Sequence, residues 1–399
     1  MSAPAVTADV HVPFHVASID DDDVAAVVEV LRSGWLTTGP VAAQFEQAFS
    51  AQLGGEVESL AVSSCTAALH LALEAVGVGP GDQVVVPSYT FTATAEVVRY
   101  LGAHPLVVDV DPRTGNLTAE GVARAVDELP QPIGSAVRAL VPVHFAGLPC
   151  EMEQLCALAE SRGWAVVDDA AHALPAARRG IPVGRYADAT AFSFYATKPL
   201  CTGEGGMVVT RHAALAERMR VMRLHGIDRD VFDRYSAPDR WRYAVVAPGF
   251  KYNLSDMAAA LGLSQLTRLR AMRDRRAEVA GAYSAALAGE EGLEVPPEAA
   301  AGDLHAWHLY ALRVLDGPDV RNRLVRELGE LGVGASVHFI PLHEQPYYRD
   351  SYGLEAARFP GAARLFDEEV SLPLFPGMTE AQVERVAEAV PVALARARG

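Results

Sequence analysis

The chain has 399 residues, half of them apolar, which is more than one hydrophobic core usually accommodates, so we expect two packed domains. The formal net charge of −16 argues against nucleic acids and membrane surfaces as partners. No apolar run is long enough to span a bilayer, and the N-terminus lacks the pattern of a signal peptide. The four cysteines form neither a CxxC pair nor a zinc pattern, so we expect reduced thiols and a cytoplasmic location.

Taken in chain order, apolar β-branched runs alternate with segments of helical spacing through the first two thirds of the sequence. Helices are predicted at 22–32, 41–53, 65–78, 92–103 and 152–163. Strands are predicted at 60–64, 83–88, 105–111, 139–145, 164–170, 189–196 and 205–210. Continuously apolar strands that alternate with helices predict an α/β fold with a mostly parallel sheet covered on both faces. Ligands of such sheets bind beyond the carboxyl ends of the strands.

The pattern changes after about residue 265. A long, arginine-rich helix is predicted at 266–289, and it could run from the large domain into a smaller one. Strands at 305–315 and 334–343 and helices at 319–332 and 379–397 follow. We therefore expect residues 1–265 to form an N-terminal arm and a large domain, and residues 266–399 a small C-terminal α+β domain.

Lysine is scarce in this chain. Of 34 basic residues only Lys198 and Lys251 are lysines, although chance survival under GC-rich codon usage is an alternative explanation for either. Arginine stays protonated, whereas a desolvated lysine amine can lose its proton and form an imine. Lys198 follows an apolar strand and precedes a proline and a glycine-rich stretch, which leaves it at a sheet edge. Ser193, five residues earlier, could donate to a phosphate, and the glycines permit close approach of a cofactor.

Three further segments at strand ends carry side chains suited to a cofactor that forms an imine with a lysine and has a phosphate and a pyridine ring. The strand at 164–170 ends in Asp168 and Asp169, and alternation favours Asp169 as the acid for a pyridine nitrogen, with a helix cap or a ribose-binding acid as the alternative. His172 could orient Asp169 or contact a ring hydroxyl, unless it is a core histidine. The turn at 63–69 offers hydroxyls and backbone N–H groups to an anion, although helix capping explains them equally well. Phe91 could stack on the ring or pack in the core.

In this order, the phosphate turn, the aromatic, the strand-end aspartate and the lysine resemble fold type I enzymes that use pyridoxal 5′-phosphate (PLP). More narrowly, the chain resembles the nucleotide-sugar aminotransferases of the DegT type. The stretches that carry the resemblance are SGWLTTGP, SSCTAALHLAL, GPGDQVVVPSYTFTATA, DDAAHALPA, SFYATKPLCTGEGG, RLHGIDRD, GFKYNLSDMAAALGLSQL and AWHLYALRV. They extend from about residue 12 to the C-terminus, so the resemblance covers nearly the whole chain.

The resemblance implies roles for individual residues. Lys198 would hold PLP as a Schiff base, Asp169 would face the ring nitrogen, and His172 would stand where many members have a glutamine near the ring oxygen. Phe91 would stack on the ring. The phosphate would be held by Thr66, Ala67 and Ser193, together with Asn253 of the other subunit of a homodimer with shared sites.

One stretch departs from most relatives, which have Asn-Tyr-Arg where this chain has Lys251-Tyr252-Asn253. The change resembles the subgroup acting on 4-keto-sugars, such as the UDP-4-amino-4-deoxyarabinose aminotransferase. It leaves recognition of the donor carboxylate open, with Lys251 as the candidate anion ligand. Candidate sugar contacts are Tyr89, His144, His338 and His343. Residues 211–242 carry eight arginines against five acids, which predicts either a diphosphate groove or a solvated surface.

The resulting prediction is a PLP-dependent transfer of an amino group from an amino acid, with glutamate as the expected donor, to a nucleotide-linked keto-sugar. C4 of a 4-keto-6-deoxyhexose or 4-keto-pentose is favoured over C3. A sugar dehydratase is an alternative, but the best-known dehydratases of this type replace the lysine with histidine, and Lys198 opposes it. A non-catalytic regulator of the same fold is a further alternative, which the intact set of site residues makes the weakest.

Overall fold

The computed structural model describes residues 10–129, 136–228 and 243–399. The α-helices are α1 (Asp21–Ser33), α2 (Pro40–Gln52), α3 (Cys65–Ala75), α4 (Ala93–Tyr100), α5 (Ala119–Asp127), α6 (Met152–Arg162), α7 (Ala213–Met222), α8 (Asp256–Leu266), α9 (Leu269–Leu287), α10 (Pro318–Glu330), α11 (Pro346–Tyr352), α12 (Pro360–Glu368) and α13 (Glu380–Arg398). The strands are β1 (Glu58–Val62), β2 (Gln83–Pro87), β3 (His104–Val108), β4 (Val137–Leu140), β5 (Ala165–Asp169), β6 (Ala177–Arg178), β7 (Ile181–Pro182), β8 (Ala189–Ser193), β9 (Gly206–Thr210), β10 (Leu293–Glu294), β11 (Tyr310–Val314) and β12 (Glu369–Leu372).

A seven-stranded sheet forms the centre of the larger part, with the strand order β1-β9-β8-β5-β4-β2-β3. Strands β3, β2, β4, β5 and β8 run parallel, whereas β9 is antiparallel to both of its neighbours. The strands are buried along nearly their whole length, as expected for a sheet covered on both faces. The mostly parallel sheet confirms the predicted α/β class, and the seven predicted strands are all present.

The main core of the larger part surrounds this sheet. It contains residues of α3, α4, α5 and α6 together with successive strand residues such as Val84 and Val85, which point to opposite faces of the sheet. A neighbouring cluster of phenylalanines lies where α2 and α8 meet the sheet, with ring centroids 5.2 to 6.2 Å apart. The candidate site is built at the ends of these buried strands.

A buried aspartate joins two of these helices. Asp256, 1% exposed at the start of α8, accepts hydrogen bonds from the backbone N–H groups of Gly39, Val41 and Ala42 at 2.7, 3.2 and 3.0 Å. These N–H groups belong to the start of α2, where a helix has no internal acceptors for them. The loop before α2 is thereby fixed, including Thr38, whose hydroxyl contacts the carbonyl of Leu254.

A second core lies between the three-stranded sheet β10-β11-β12 and helices α9, α10 and α13. The N-terminal segment also belongs to it, because Val12 is fully buried there and pairs with Val333. Helix α9 contributes Leu269 and Met272 to a core of the large sheet and Val279 and later residues to the second core. It thus runs from one core to the other, while the boundary at residue 265 stays a prediction.

The main error in the predicted elements is at 334–343. This segment is not a strand: Ser336 makes one isolated bridge to Ser371, after which the chain leaves the sheet toward the candidate site. Phe339 and Leu342 of this segment pack against the first core, and Ala335 packs against the second, instead of forming a ladder. The sequence-based prediction also missed α5, α7, α8, α11, α12, β12 and the two-residue strands β6, β7 and β10. No helix in the described ranges is both long enough and apolar enough to cross a membrane.

Candidate active site

A cavity of about 350 Å³ opens beyond the carboxyl ends of β5 and β8, where ligands of parallel sheets usually bind. The start of α3 and the segment between β8 and β9 form part of its wall, and the residues before β11 and the segment at 338–339 form the rest. It is lined by Ser64, Cys65, Thr66, Leu69, Thr90, Phe91, Ala93, Val143, Asp169, Ala171, His172, Ser193, Tyr195, Thr197, Lys198, Glu204, Gly205, His308, His338 and Phe339.

The amine of Lys198 points into this cavity. Its Nζ lies 3.4 Å from Nε2 of His308. Burial of the amine lowers the pKa of Lys198 from 10.5 to about 8, and Cys65 and Asp169 oppose this shift only in part. A lysine with such a pKa can exchange a proton near neutral pH and can act as a nucleophile.

The two aspartates at the end of β5 have different surroundings. Asp169 lines the cavity and accepts hydrogen bonds from Thr94 Oγ1 at 2.8 Å and from the N–H of Ala171 at 3.1 Å. Burial raises the pKa of Asp169. The two hydrogen bonds, and then the positive charge of Lys198, act in the opposite direction. Asp168 is fully buried outside the cavity, 3.7 Å from His144 Nε2. The side chain facing the cavity is thus the one that strand alternation selects.

Two histidines whose rings are in contact form the wall next to Lys198. The rings of His172 and His308 lie 4.3 Å apart, and Phe339 stacks on His172 at 5.7 Å. Burial, and then repulsion from Lys198, hold the pKa of both histidines well below 6.5. Both imidazoles are therefore neutral at physiological pH and leave the positive charge to Lys198.

The opposite end of the cavity has the character of an anion site. Helix α3 begins there, and its positive N-terminus, Thr66 and Ser193 all border the cavity. The close approach of β9 to this turn requires Gly206, since a Cβ atom there would lie 2.6 Å from the carbonyl of Ser64. Ala67, predicted to hold the phosphate, does not line the cavity, and its N–H donates to Ser64 Oγ at 3.0 Å as part of the helix cap. The N–H of Ser63, in the turn before the helix, donates to the carbonyl of Tyr252. Cys65 and Thr66, the first two residues of α3, border the cavity, and their N–H groups have no acceptor within the helix.

The predicted aromatic and sugar-binding residues divide into two groups. Phe91 lines the cavity with 59% of its surface exposed, and His338 also lines it. Tyr89, His144 and His343 are buried outside the cavity, and the structure does not support sugar contacts for them. The hydroxyl of Tyr89 donates to the carbonyl of His338, His144 accepts from the N–H of Cys150, and His343 contacts Ser88.

Lys251 and Asn253 lie away from the cavity. The Lys251 amine donates to Asn253 Oδ1, and Asn253 Nδ2 donates to Thr38 Oγ1 at 2.5 Å. Asn253 borders a shallow surface depression that also includes Arg220 and Arg223. Neither residue completes the cavity of its own chain.

Four of the eight arginines that were predicted to form a diphosphate groove lie in the described residues. Arg218 and Arg220 form ion pairs with Glu74 and Glu58, as in an ordinary charged surface. Arg223 is buried and forms an ion pair with Glu46. Arg211 donates to the carbonyl of Tyr186. The arginines at 229, 234, 240 and 242 lie outside the described residues.

The arrangement fits PLP. The buried carboxylate of Asp169 has two hydrogen-bond donors but no hydrogen-bonded cation among the described residues, and a protonated pyridine nitrogen would supply one. Nδ1 of His172 is buried and has no hydrogen-bond partner in the described ranges, so the ring has capacity to bind a neighbouring group. Lys198 lies on the same cavity as the anion end of α3, and the described residues contain no cluster suited to a metal ion.

Two residues of the site escaped the sequence analysis. His308 was visible only as one of two histidines in a predicted strand, and nothing in that pattern indicates that it meets Lys198. Thr94, in the first turn of α4, does not line the cavity and acts through its hydrogen bond to Asp169. Nothing in the local sequence around Thr94 indicates this contact.

Comparisons with known proteins agree with this geometry. Residues 17–391 match the model of the DegT/DnrJ/EryC1/StrS aminotransferase family. The spore coat polysaccharide biosynthesis protein SpsC of Bacillus subtilis is 42% identical over 381 residues, which are 95% of this chain and 96% of SpsC. Among solved structures, the aminotransferase TlmJ of Streptoalloteichus hindustanus superimposes with a TM-score of 0.87 at 35% identity, over 97% of this chain and 100% of TlmJ. The pyridoxamine phosphate form of the putative sugar aminotransferase Spr1654 of Streptococcus pneumoniae has a TM-score of 0.89 at 29% identity, over 97% and 100% of the two chains.

Proposed function

Because the chain belongs to the DegT/DnrJ/EryC1/StrS aminotransferase family, we propose that it transfers an amino group from glutamate to C4 of a nucleotide-linked 4-keto-sugar. Family membership makes it a sugar aminotransferase that uses PLP. The nucleotide, the attacked carbon and the donor are the parts that we propose. The observation that carries the reaction type is the single cavity in which the Lys198 amine, the Asp169 carboxylate and two neutral histidines meet.

Lys198 is proposed to bind the cofactor covalently and afterwards to move the proton of the amino donor. PLP, when bound, supplies an electron-withdrawing ring that stabilises negative charge on the neighbouring carbon. The protein supplies a base, and a pKa of about 8 lets the Lys198 amine both accept and return a proton. His308 Nε2, at 3.4 Å, accepts a hydrogen bond from this amine and fixes its direction.

Asp169 is proposed to keep the ring nitrogen protonated, and Thr94 holds its carboxylate in place. His172 is proposed to contact the ring oxygen as a neutral imidazole, because its low pKa leaves a lone pair or an N–H available without a charge. Phe91 would cover the ring, with Thr66 and Ser193 at the phosphate.

A shared active site is the second part of the proposal. Asn253 and Lys251 lie at the surface of their own chain, outside the cavity, and we propose that in a homodimer they reach the neighbouring subunit's site. Asn253 would then contact the phosphate and Lys251 the carboxylate of the donor or another anion. The preference for C4 rests on the Lys251-Tyr252-Asn253 sequence, and a cytoplasmic location stays a prediction.

The cofactor assignment can be tested on the chain's two lysines. Reduction of the purified protein with borohydride should fix the cofactor to Lys198, as identified by peptide mass spectrometry. Lys198→Ala should lose this adduct, whereas Lys251→Ala, the matched control, should keep it. Retention of the adduct in Lys198→Ala would contradict the assignment.

The reaction can be tested with a panel of 3-keto and 4-keto nucleotide sugars and glutamate, with the position of the new amine read by NMR. We expect amination at C4. Amination at C3 would replace the substrate proposal but keep the reaction. Glutamate alone should bleach the cofactor absorbance, and a protein whose spectrum no amino donor changes would instead be a regulator of this fold.

The shared site can be tested by subunit complementation. Lys198→Ala and Asn253→Ala proteins, each inactive alone, should regain activity after subunit exchange, because one hybrid site then carries neither change. The control is Lys198→Ala protein alone, taken through the same exchange procedure. Absence of activity after demonstrated exchange would contradict a site that Asn253 completes across the interface.

A further inference from the structure

Within the described part of the chain, every polar atom of His338 except Nε2 has a hydrogen-bond partner. Its backbone N–H donates to Glu369 Oε2 at 2.8 Å, and its carbonyl accepts from the Tyr89 hydroxyl. Nδ1 lies 2.9 Å from Ser371 Oγ. The ring is fixed between Phe14 and Phe339. Nε2 is the remaining polar atom, on a residue that lines the cavity.

Ser371 connects this ring to a buried acid. Its hydroxyl is in hydrogen-bond contact with Glu369 Oε1 as well as with His338 Nδ1. Ser371 and Glu369 are both completely buried, so water cannot replace either contact. The three side chains thus form one continuous hydrogen-bonded chain from the interior of the second sheet to the cavity.

A serine hydroxyl has a single hydrogen, so it can donate to only one of its two neighbours and must accept from the other. When Glu369 is ionised, Ser371 donates to it, Nδ1 of His338 carries the proton, and Nε2 presents a lone pair to the cavity. When Glu369 is protonated, all the donors reverse, and Nε2 presents an N–H. In both states the imidazole is neutral.

We propose that His338, Ser371 and Glu369 are a proton relay between the active-site cavity and a buried carboxyl group. In the forward direction an O–H bond of water or a sugar hydroxyl breaks, its electron pair stays on the oxygen, and an N–H bond forms at Nε2. The Nδ1–H bond then breaks as a proton passes to Ser371, whose own proton passes to Glu369 Oε1. One proton has moved, no charge remains on the imidazole, and the reverse sequence returns the proton.

The electrostatics of the surrounding groups are compatible with this exchange. Burial raises the pKa of Glu369 to about 8, although the hydrogen bonds from Ser371 and from the His338 N–H, and then the charge of Arg321 on α10, oppose the shift. Burial and repulsion from Lys198 lower the pKa of His338 to about 4, which keeps the imidazole uncharged. Three other titratable groups interact with this system: Tyr89 with Glu369, and His172 and His308 with His338. Both of these neighbouring histidines are neutral.

The use of this relay rests on the proposed function. Amino transfer consumes water when the oxo acid leaves and produces water when the keto-sugar enters. The cavity therefore needs a group that takes up a proton in one half-reaction and returns it in the other half-reaction. Lys198 is occupied with the carbon-bound proton. His338 would serve the oxygen-bound one, with Glu369 and Ser371 as positioning residues.

The relay can be tested by following the tautomer of His338 in the full-length holoenzyme. Protein labelled with ¹⁵N-histidine is titrated from pH 6 to pH 10, and long-range ¹H–¹⁵N correlations show which nitrogen carries hydrogen. His338→Gln identifies the signal. We expect the hydrogen to move from Nε2 to Nδ1 as the pH rises through about 8.

Glu369→Gln separates the relay from a general structural effect. Its amide oxygen must accept from the His338 N–H, so its NH₂ group donates to Ser371, and His338 should keep hydrogen on Nε2 at every pH. Glu368→Gln is the same change one residue earlier, at the ion pair with Arg313. In this control the tautomer of His338 should respond to pH as it does in the wild type. Ser371→Ala should also remove the pH response, which preserves the test if Glu369→Gln does not fold.

The same tautomer in wild type and Glu369→Gln across this range, or a His338 that becomes a cation, would overturn the relay. The activity should also respond: we expect kcat of Glu369→Gln to fall about 100-fold, which is typical of a lost acid–base group. The tautomer is measured without substrate. Failure of the relay therefore leaves borohydride fixation at Lys198 intact, whereas failure of the proposed function does not alter the tautomer.

Discussion

Replacing Lys198 with methionine should stabilise the cofactor-free protein at neutral pH. The shift of the Lys198 pKa from 10.5 to about 8 means that folding disfavours the ammonium relative to the amine. At about 1.4 kcal/mol for each pKa unit, and with allowance for solvent in the open cavity, this penalty is about 2–3 kcal/mol. Methionine fills a similar volume without the charge. It also loses the hydrogen bond to His308, which offsets about 1 kcal/mol.

The sign of the pH dependence follows from the two pKa values of Lys198. Below pH 8 the lysine is protonated in both the folded and unfolded states, so the penalty is fully present. Between pH 8 and 10.5 only the unfolded state retains the proton, and the wild type gains stability relative to Lys198→Met as the pH rises. Near pH 10.5 the advantage of the variant should have disappeared.

Urea unfolding of both cofactor-free proteins at pH 7, 8, 9 and 10, at equal protein concentration, measures this difference. The free energy of unfolding of Lys198→Met should exceed that of the wild type at pH 7, and the excess should shrink at the higher pH values. Lys251→Met, at an exposed lysine, should show no such trend. A difference between Lys198→Met and the wild type that is independent of pH would refute a depressed Lys198 pKa.

Three further predictions concern backbone positions and one cap. Gly206→Ala should weaken cofactor affinity at least tenfold in a fluorescence titration, because its Cβ would lie 2.6 Å from the carbonyl of Ser64, whereas Gly79→Ala, with open space around it, should leave affinity unchanged. Asp256→Ala should lower the free energy of unfolding by about 3 kcal/mol, since three N–H groups of the α2 start lose their acceptor, while the exposed Asp274→Ala should change it by less than about 0.5 kcal/mol in the same urea experiment. Gly281→Ala should raise the free energy of unfolding by about 0.5–1 kcal/mol and with it the thermal midpoint, because alanine favours the helix more than glycine does and its Cβ would have open space at this exposed position. A lower midpoint would contradict that account.

The sequence predicted the sheet well because parallel strands buried on both faces must be continuously apolar. The positions of Asp169 and Ser193 followed from the same rule, since each ends a strand of that sheet. Ala67 could not be assigned correctly, because the cap by Ser64 takes its N–H, and capping and phosphate binding share the same sequence pattern. Local pattern alone does not decide between them.

The contacts that sequence could not predict join residues that are far apart along the chain. His308 meets Lys198 across 110 positions. Glu369 contacts the backbone N–H of His338 directly and the His338 ring through Ser371. The segment at 334–343 was read as a strand because its residues are mostly apolar, but its path is fixed by bonds to Glu369 and Ser371. For the same reason, the sequence did not show that Tyr89 lies outside the cavity, where its hydroxyl donates to the backbone carbonyl of His338.

The pairing of Val12 with Val333 has a consequence for synthesis and folding. Val12 leaves the ribosome early, but the chain that receives it is made more than 300 residues later. Contacts of such sequence separation are costly to close and form late. The large sheet can therefore assemble during translation while the first residues stay undocked, and the second core closes over them only near the end. A fragment that starts at residue 266 would lack this piece of its own interior.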